Sequence, residues 1–125
     1  MCSGRVDEKF IWRAFAAGAP VVLVSGCHIG DCHYIDANRS TTRRLDGLWD
    51  GLEKAGLRPD RLQLEWCSAA EGARWQTIMK AVEDTRQSVT AGEIEQSTEK
   101  LAQTRVPNPR NPRPADEKQD AAYAC

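Results

Sequence analysis

Five cysteines lie at positions 2, 27, 32, 67 and 125 of the sequence. Two of them, Cys27 and Cys32, share one short glycine-containing segment with His28 and His33. Outside a secreted protein, an odd number of cysteines argues against a disulfide scaffold and favours metal binding, redox chemistry or buried thiols. Thiolates offered from two or three points select iron–sulfur clusters, zinc or copper(I). The four-residue gap between Cys27 and Cys32 also occurs in plant-type ferredoxin signatures, so a metal centre is the first interpretation.

The same residues allow two other chemistries. A thiol enzyme would use Cys32 as its nucleophile and His28 or His33 as the base, although the sequence offers no evident third group to orient that base. A zinc-stabilised interaction module would use Cys27, Cys32 and a histidine. Cys67 is interpreted as a buried thiol, with a role as a further metal ligand left open.

The spacing of apolar residues predicts the elements that position these side chains. In chain order they are a helix from Asp7 to about residue 17, a strand over residues 21–24, a helix from about Asn38 to Gly56, a strand over residues 62–66, a helix opened by a capping box at Ser68 and Glu71, and a weaker helix over residues 94–101. The first helix is predicted to bury one face, made of Phe10, Ile11, Ala14 and Phe15. The helix after the second strand is predicted to carry an apolar stripe of Trp75, Ile78, Met79 and Val82.

This alternation of helices and strands predicts an α/β fold with a small parallel sheet flanked by helices. Ligands of such sheets bind beyond the carboxyl ends of the strands. Cys27 and Cys32 follow the first predicted strand, and neighbouring strands lie about 4.8 Å apart. Cys2 and Cys27 can therefore reach one small inorganic cluster. Gly26 and Gly30 are expected to let the backbone bend around it.

Length and charge exclude several classes of function. A chain of 125 residues is one domain by length, and 17 basic against 18 acidic residues give a net charge of −1. That balance offers no electrostatic basis for binding nucleic acid or an anionic membrane. Acidic residues stand where a signal peptide would have its apolar core, and no apolar run approaches the ~20 residues that span a bilayer. We expect a cytoplasmic protein with no nucleic-acid partner and no membrane insertion.

The chain is predicted to divide into three parts. Residues 1–88 form the α/β domain and residues 89–104 form a weakly helical extension. Residues 105–125 are rich in proline and charge, with little to bury, and are predicted to be a disordered C-terminal tail.

Three blocks of the sequence resemble the delta subunit of methyl-viologen-reducing hydrogenases. They are residues 1–7 (MCSGRVD), 26–34 (GCHIGDCHY) and 64–72 (LEWCSAAEG), and the resemblance covers roughly residues 2–86. It implies a non-catalytic electron-transfer subunit that carries a [2Fe-2S] cluster on Cys2, Cys27 and Cys32. It also implies that this subunit relays electrons between a hydrogenase or a formate dehydrogenase and a heterodisulfide-reductase-like flavin subunit.

The sequence departs from the family pattern in three places. The family begins with a further strand and helix that contain a cysteine cluster, and we expect this chain to lack them. Cys67 stands where the family has a small or aliphatic residue, and the proline-rich tail has no family counterpart. Because a [2Fe-2S] cluster normally has four protein ligands, the fourth is expected from Cys67, a histidine, an upstream segment or a partner chain.

Overall fold

The structure is a computed structural model that describes residues 2–103. The elements, in chain order, are a short 3-10 turn η1 (Ser3–Arg5), α1 (Glu8–Ala16), β1 (Val22–Gly26), α2 (Ala37–Lys54), a second 3-10 turn η2 (Pro59–Arg61), β2 (Leu62–Trp66), α3 (Gly72–Ser88) and α4 (Ala91–Gln103). None of the helices in this part of the chain has the length and apolar character that crossing a membrane requires.

The two strands form a parallel sheet, which confirms the predicted α/β fold. Val22 pairs with Leu62, and the register continues to Gly26 opposite Trp66. β2 occupies the predicted residues, whereas β1 begins one residue later than predicted and continues to Gly26. The longer β1 follows from pairing, because its last two residues bond to β2 although their sequence favours a loop.

Helix α1 begins where the sequence predicts. The Asp7 carboxylate accepts a hydrogen bond from the Lys9 N–H at 2.8 Å, which caps the helix. Ile11 and Phe15 are buried in the core, but Phe10 is exposed. The predicted apolar face was therefore wrong at Phe10. Its side chain points away from the side of the helix on which Ile11 and Phe15 pack inward.

Helix α2 contributes the largest share of the core cluster. Leu45, Leu48 and Leu52 lie on one face and are buried. They belong to a cluster whose other buried members are Ile11, Phe15, Val24, Leu57, Leu62 and Leu101. The spacing of these leucines is the helical pattern read from the sequence.

The capping box predicted to open α3 was wrong in its position. The helix begins at Gly72, and Ser68 lies in a turn before it. The Glu71 carboxylate still accepts a hydrogen bond from the Ser68 N–H at 2.8 Å. Of the predicted apolar stripe, Ile78 is buried while Trp75 and Met79 are exposed. The predicted stripe was therefore wrong at Trp75 and Met79.

Helix α4 is longer than the predicted residues 94–101. The Thr90 N–H donates to the Glu93 carboxylate at 2.8 Å, and the Glu93 N–H donates to the Thr90 hydroxyl at 3.2 Å. This reciprocal pair is a capping box. α4 contacts α1 and contributes Leu101 to the core. The division of the chain at residues 88 and 104 stays a prediction, and the predicted disordered tail lies outside the described residues.

Candidate metal centre

Cys27 and Cys67 each follow the last residue of a strand. Gly26 and Trp66 are register partners at the carboxyl ends of β1 and β2. The Cys67 N–H donates to the Gly26 carbonyl at 2.9 Å, so the hydrogen bonding of the ladder reaches the first residue beyond β2. The backbones of Cys27 and Cys67 therefore lie side by side at one edge of the sheet, which we call the carboxyl edge.

Turn η1 brings Cys2 to the same edge. A Cβ atom on Gly26 would lie 2.6 Å from Ser3 Oγ and 2.9 Å from Trp66 Cζ3. Glycine is needed at this position because η1 packs directly onto the end of β1. The space beside Gly26 is therefore filled by Ser3 and Trp66, and the expected bend of the backbone around a cluster stays a prediction.

Two contacts fix η1 against α2. The Arg44 guanidinium donates to the Val6 carbonyl and, at 3.1 Å, to the Gly4 carbonyl. A Cβ on Gly4 would lie 2.8 Å from the Ala37 Cβ, so the turn packs closely on the first residue of the helix. The Cys2 thiol lies at the start of this turn, where it accepts a hydrogen bond from the Gly4 N–H at 3.3 Å.

Asn38 holds the loop between β1 and α2. Its side chain is fully buried. The amide nitrogen donates to the Cys27 carbonyl at 3.2 Å and to the His28 carbonyl at 3.0 Å. A buried amide with satisfied hydrogen bonds fixes the backbone that it contacts. The sequence pattern predicts Asn38 only as the start of a helix and contains no signal of this role.

The loop itself presents its two cysteines differently. Cys27 is exposed, whereas Cys32 is only 7% exposed. Gly30 between them has a φ of 95°, and no atom lies within 4 Å of the position that a Cβ would take. Glycine is therefore favoured at position 30 by the left-handed backbone of the turn, and not by crowding from neighbouring atoms.

His28 and Glu71 join the two loops of the carboxyl edge. His28 Nε2 lies 2.5 Å from Glu71 Oε2, and the same oxygen accepts the Ser68 N–H. The hydrogen bond from Ser68, followed by that of His28, lowers the pKa of the Glu71 carboxyl below its usual range. In this structure His28 is therefore a hydrogen-bonding partner of a carboxylate. His33 is exposed and stacks edge-on against Tyr34, with ring centroids 5.1 Å apart.

Cys67 lies beside the N-terminus of α3. Its sulfur lies 3.5 Å from the Ser68 carbonyl oxygen and 3.7 Å from that of Glu71. The thiol also lines a groove of about 340 Å³, whose other walls include Ser25 and Trp75. It is half-buried, so Cys67 is not the buried thiol that the sequence interpretation favoured.

The donor set suits an iron–sulfur cluster in its chemistry. The thiols of Cys2, Cys27, Cys32 and Cys67 are all free of disulfides, and thiolate is the ligand that such clusters require. Within residues 2–103, no three side chains of Cys, His, Asp or Glu lie together as a metal-binding group. The structure thus brings the backbones of Cys2, Cys27 and Cys67 to one edge without gathering three sulfurs at one point.

Comparisons with known proteins identify relatives of this chain. Residues 1–89 match the family described as methyl-viologen-reducing hydrogenase, delta subunit. The chain is 39% identical over 101 residues to the iron-sulfur subunit of the vhc F420-non-reducing hydrogenase of Methanococcus voltae, an alignment that covers 81% of this chain and 70% of the relative. It is 43% identical over 84 residues to the iron-sulfur subunit of an F420-non-reducing hydrogenase of Archaeoglobus profundus, covering 67% of this chain and 61% of the relative.

A third relative is a much longer protein. It belongs to the ferredoxin:CoB-CoM heterodisulfide reductase of Methanosarcina mazei and is 42% identical over 85 residues, which are 67% of this chain and 11% of the relative. The chain thus spans under two thirds of the Archaeoglobus relative and about a tenth of the Methanosarcina one. The family match covers the three blocks on which the sequence resemblance rests. The chain belongs to the methyl-viologen-reducing hydrogenase delta subunit family.

Proposed function

We propose that this chain is the iron–sulfur electron-transfer subunit of a cytoplasmic oxidoreductase complex. In this proposal a [2Fe-2S] cluster is bound by Cys2, Cys27 and Cys32, with Cys67 as the fourth ligand. The chain passes electrons from a hydrogenase or a formate dehydrogenase to a heterodisulfide-reductase-like flavin subunit, and it catalyses no reaction of its own. A [2Fe-2S] cluster supplies one-electron redox chemistry when it is bound.

The observation that carries the proposal is the parallel register at the carboxyl edge. Cys27 and Cys67 directly follow paired residues of β1 and β2, and η1 packs onto the end of β1 beside them. Three thiol-bearing residues from separate parts of the chain therefore converge where parallel sheets bind ligands. Cys32 lies in the same loop as Cys27, and its partly enclosed thiol suits a ligand shielded from water.

Asn38, His28 and Glu71 support this site without contributing thiolate. Asn38 fixes the backbone on both sides of the Cys27–His28 peptide. The His28–Glu71 contact ties this loop to the loop that carries Cys67. Groups of this kind orient the ligands of a metal site and tune its potential.

The names of the relatives support the same function. Two of them are iron-sulfur subunits of F420-non-reducing hydrogenases. The Methanosarcina relative, which contains a segment similar to this chain, is a component of a heterodisulfide reductase. Proteins similar to this chain thus occur as separate subunits and as a segment of a heterodisulfide reductase protein. We therefore expect this chain to act in contact with a protein of the second kind.

The test is anaerobic reconstitution of the full chain with iron and sulfide, followed by assay of both elements. We expect two irons and two acid-labile sulfides per chain in the wild type. Cys27→Ser and Cys32→Ser should each lower iron binding by more than about half, because serine is a poor ligand for these clusters. Cys2→Ser and Cys67→Ser should do the same if the proposed set of four is right.

Cys125→Ser provides a matched control, since it removes a thiol outside the proposed set. It should retain the wild-type iron content. Iron content in Cys67→Ser equal to that of the wild type would remove Cys67 from the ligand set while leaving the cluster in place. A colourless chain that binds one zinc ion with Cys27 and Cys32 would replace the electron-transfer proposal by the zinc-module alternative.

A further inference from the structure

The arginines of η1 and α2 differ from Arg58, before β2, and from the two arginines of α3. Arg58, Arg74 and Arg86 each form an ion pair with a carboxylate. Within residues 2–103, no carboxylate forms an ion pair with the four arginines of η1 and α2, which are Arg5, Arg39, Arg43 and Arg44. The guanidinium groups of Arg5 and Arg43 are therefore not engaged in an ion pair, although the chain as a whole is nearly neutral.

Two of these arginines line a groove that also contains Cys2. The groove has a volume of about 520 Å³, and its lining contains Arg5 and Arg44 but no carboxylate. Arg43 lies beside it, because its guanidinium donates to the hydroxyl of Ser40, another lining residue, at 3.3 Å. We call this groove and its arginines the η1–α2 face.

Large apolar side chains border the same face. Tyr34 lines the groove and is 62% exposed, and the next residue, Ile35, is 75% exposed. Ile35 also has a φ of 58°, a left-handed conformation that is costly for a β-branched residue. On the other side of Arg5, the exposed Phe10 lines a neighbouring groove that also contains Asp7 and Glu8.

Stability of the isolated chain does not explain this arrangement. Arg39 and Arg43 are four residues apart on α2, a spacing at which like charges repel each other. Exposed Tyr and Phe beside Arg are instead the residues that protein interfaces concentrate at their centres. The lack of any carboxylate in the groove indicates what the partner must bring, because charged interfaces pair opposite signs.

We propose that the η1–α2 face is the docking surface for an acidic surface of the flavin subunit that exchanges electrons with this chain. The carboxylates of that flavin protein pair with Arg5 and Arg43, and an apolar side chain enters the groove against Tyr34. Because Cys2 lines the same groove, docking brings the partner next to the proposed cluster ligands. The inference rests on the proposed function for the identity of the partner, whereas the surface is read from the charges and exposures alone.

The experiment measures binding of the reconstituted full chain to the heterodisulfide-reductase-like flavin protein of the same organism, immobilised on a sensor surface. The variants are Arg5→Glu, Arg43→Glu and Tyr34→Ala. We expect each to raise the dissociation constant about tenfold, because each removes one contact near the centre of the face. Raising the salt concentration from about 50 to about 300 mM should also weaken wild-type binding, since exposed charges are then screened.

Arg86→Glu is the matched control, because it makes the same charge change at an exposed site on α3. It should bind within about twofold of the wild type. Arg44 is left unchanged because it holds η1 in place. Circular dichroism on every variant shows that the fold is retained.

Two results would overturn the docking proposal. One is binding of Arg5→Glu and Arg43→Glu at wild-type strength, and the other is no binding of the wild-type chain to the flavin protein. Iron and sulfide are assayed on the same samples. A chain that contains the cluster but does not bind thus refutes the docking surface alone, whereas a chain without iron refutes the proposed function itself.

Discussion

The two ends of the sheet are built differently. At the amino end of β2, Arg61 is 1% exposed and its guanidinium donates to the Pro20 carbonyl at 2.7 Å, the Ala19 carbonyl at 3.0 Å and the Ser97 hydroxyl at 2.5 Å. At the carboxyl edge, Cys27 is exposed, and the hydrogen-bonded pair of His28 and Glu71 is open to solvent. One end encloses its arginine, whereas the other leaves the Cys27 thiol exposed and the His28–Glu71 pair partly exposed.

The difference indicates that the Arg61 end stabilises the fold and that the carboxyl edge carries the reactive groups. Arg61 connects the segment before β1 to α4 and lies over the Phe15 ring, 5.2 Å from its centroid. Burial lowers the pKa of Arg61, but an arginine remains charged at neutral pH. Its partners are satisfied, so this end can be rigid. The carboxyl edge instead carries thiols, exposed apolar side chains and a strained residue, which are features of sites that bind something.

The largest effect is expected from breaking the enclosed end. Arg61→Ala removes hydrogen bonds to the buried Ser97 hydroxyl and to the half-buried Ala19 and Pro20 carbonyls, and it leaves a void beside Phe15. We expect a loss of about 3 kcal/mol in the free energy of unfolding, the scale for a charged group hydrogen-bonded in the interior. Urea unfolding of both proteins measures it, with Arg86→Ala as an exposed control that should change by less than about 0.5 kcal/mol. A loss below about 1 kcal/mol for Arg61→Ala would show that this end does not hold the fold together.

Asn38→Ala tests whether a buried polar side chain stabilises the carboxyl edge as Arg61 stabilises the other end. The change leaves the carbonyls of Cys27 and His28 without their donor, so we expect a loss of about 2 kcal/mol. Thr42→Ala is the control on the same helix, because its hydroxyl bonds only to a helix carbonyl. The urea midpoints of the two variants are compared with that of the wild type, and they report stability where the dependence of the unfolding free energy on urea concentration is unchanged. Equal effects of the two substitutions would mean that Asn38 does not anchor the loop.

A gain in stability is expected where the open edge is strained. Ile35 is exposed and has a left-handed backbone, a conformation that Asn adopts more readily. Ile35→Asn should therefore raise the free energy of unfolding by about 0.5 to 1 kcal/mol. Thermal unfolding of the two proteins provides the measurement. A destabilised variant would show that Ile35 makes a contact that outweighs its strain.

The smallest effect concerns the hydrogen bonds of Glu71. Because the folded chain lowers the pKa of this carboxyl, its ionised form stabilises the fold above the usual Glu pKa. That contribution is lost as the pH falls through the lowered value. The urea midpoint of the wild type should therefore exceed that of Glu71→Gln at pH 6, and the gap should close as the pH falls to about 3. A gap that is constant over this range would contradict the assignment.

Much of the sheet and of the helices beside it could be predicted from the sequence. Local signals fixed the Asp7 cap and the residues of β2, and alternation of elements predicted the parallel pairing. The sequence contains two similar capping patterns, Ser68 with Glu71 and Thr90 with Glu93. Only the second has the reciprocal hydrogen bonds at a helix start, so the first was misplaced and the second was missed.

The remaining errors come from contacts between distant residues. The bonds of Arg61 to Ala19, Pro20 and Ser97 depend on the packing of α4, which no local pattern encodes. Glycine is needed at position 26 because Ser3 of η1 packs against it. These two residues are separated in the sequence by the whole of α1, so no local pattern shows the contact. For the site, the cysteine loop was recognisable, but Asn38 and the His28–Glu71 contact became visible only once the two loops were placed side by side.

Electron paramagnetic resonance of the reconstituted chain after dithionite reduction tests the central claim most directly. If the carboxyl edge carries a [2Fe-2S] cluster, the reduced protein will give one signal that integrates to one unpaired electron per two irons. The signal will be lost in Cys27→Ser and retained in Cys125→Ser. A reduced wild-type chain that contains no iron, or whose signal survives unchanged in both Cys27→Ser and Cys32→Ser, would contradict the account.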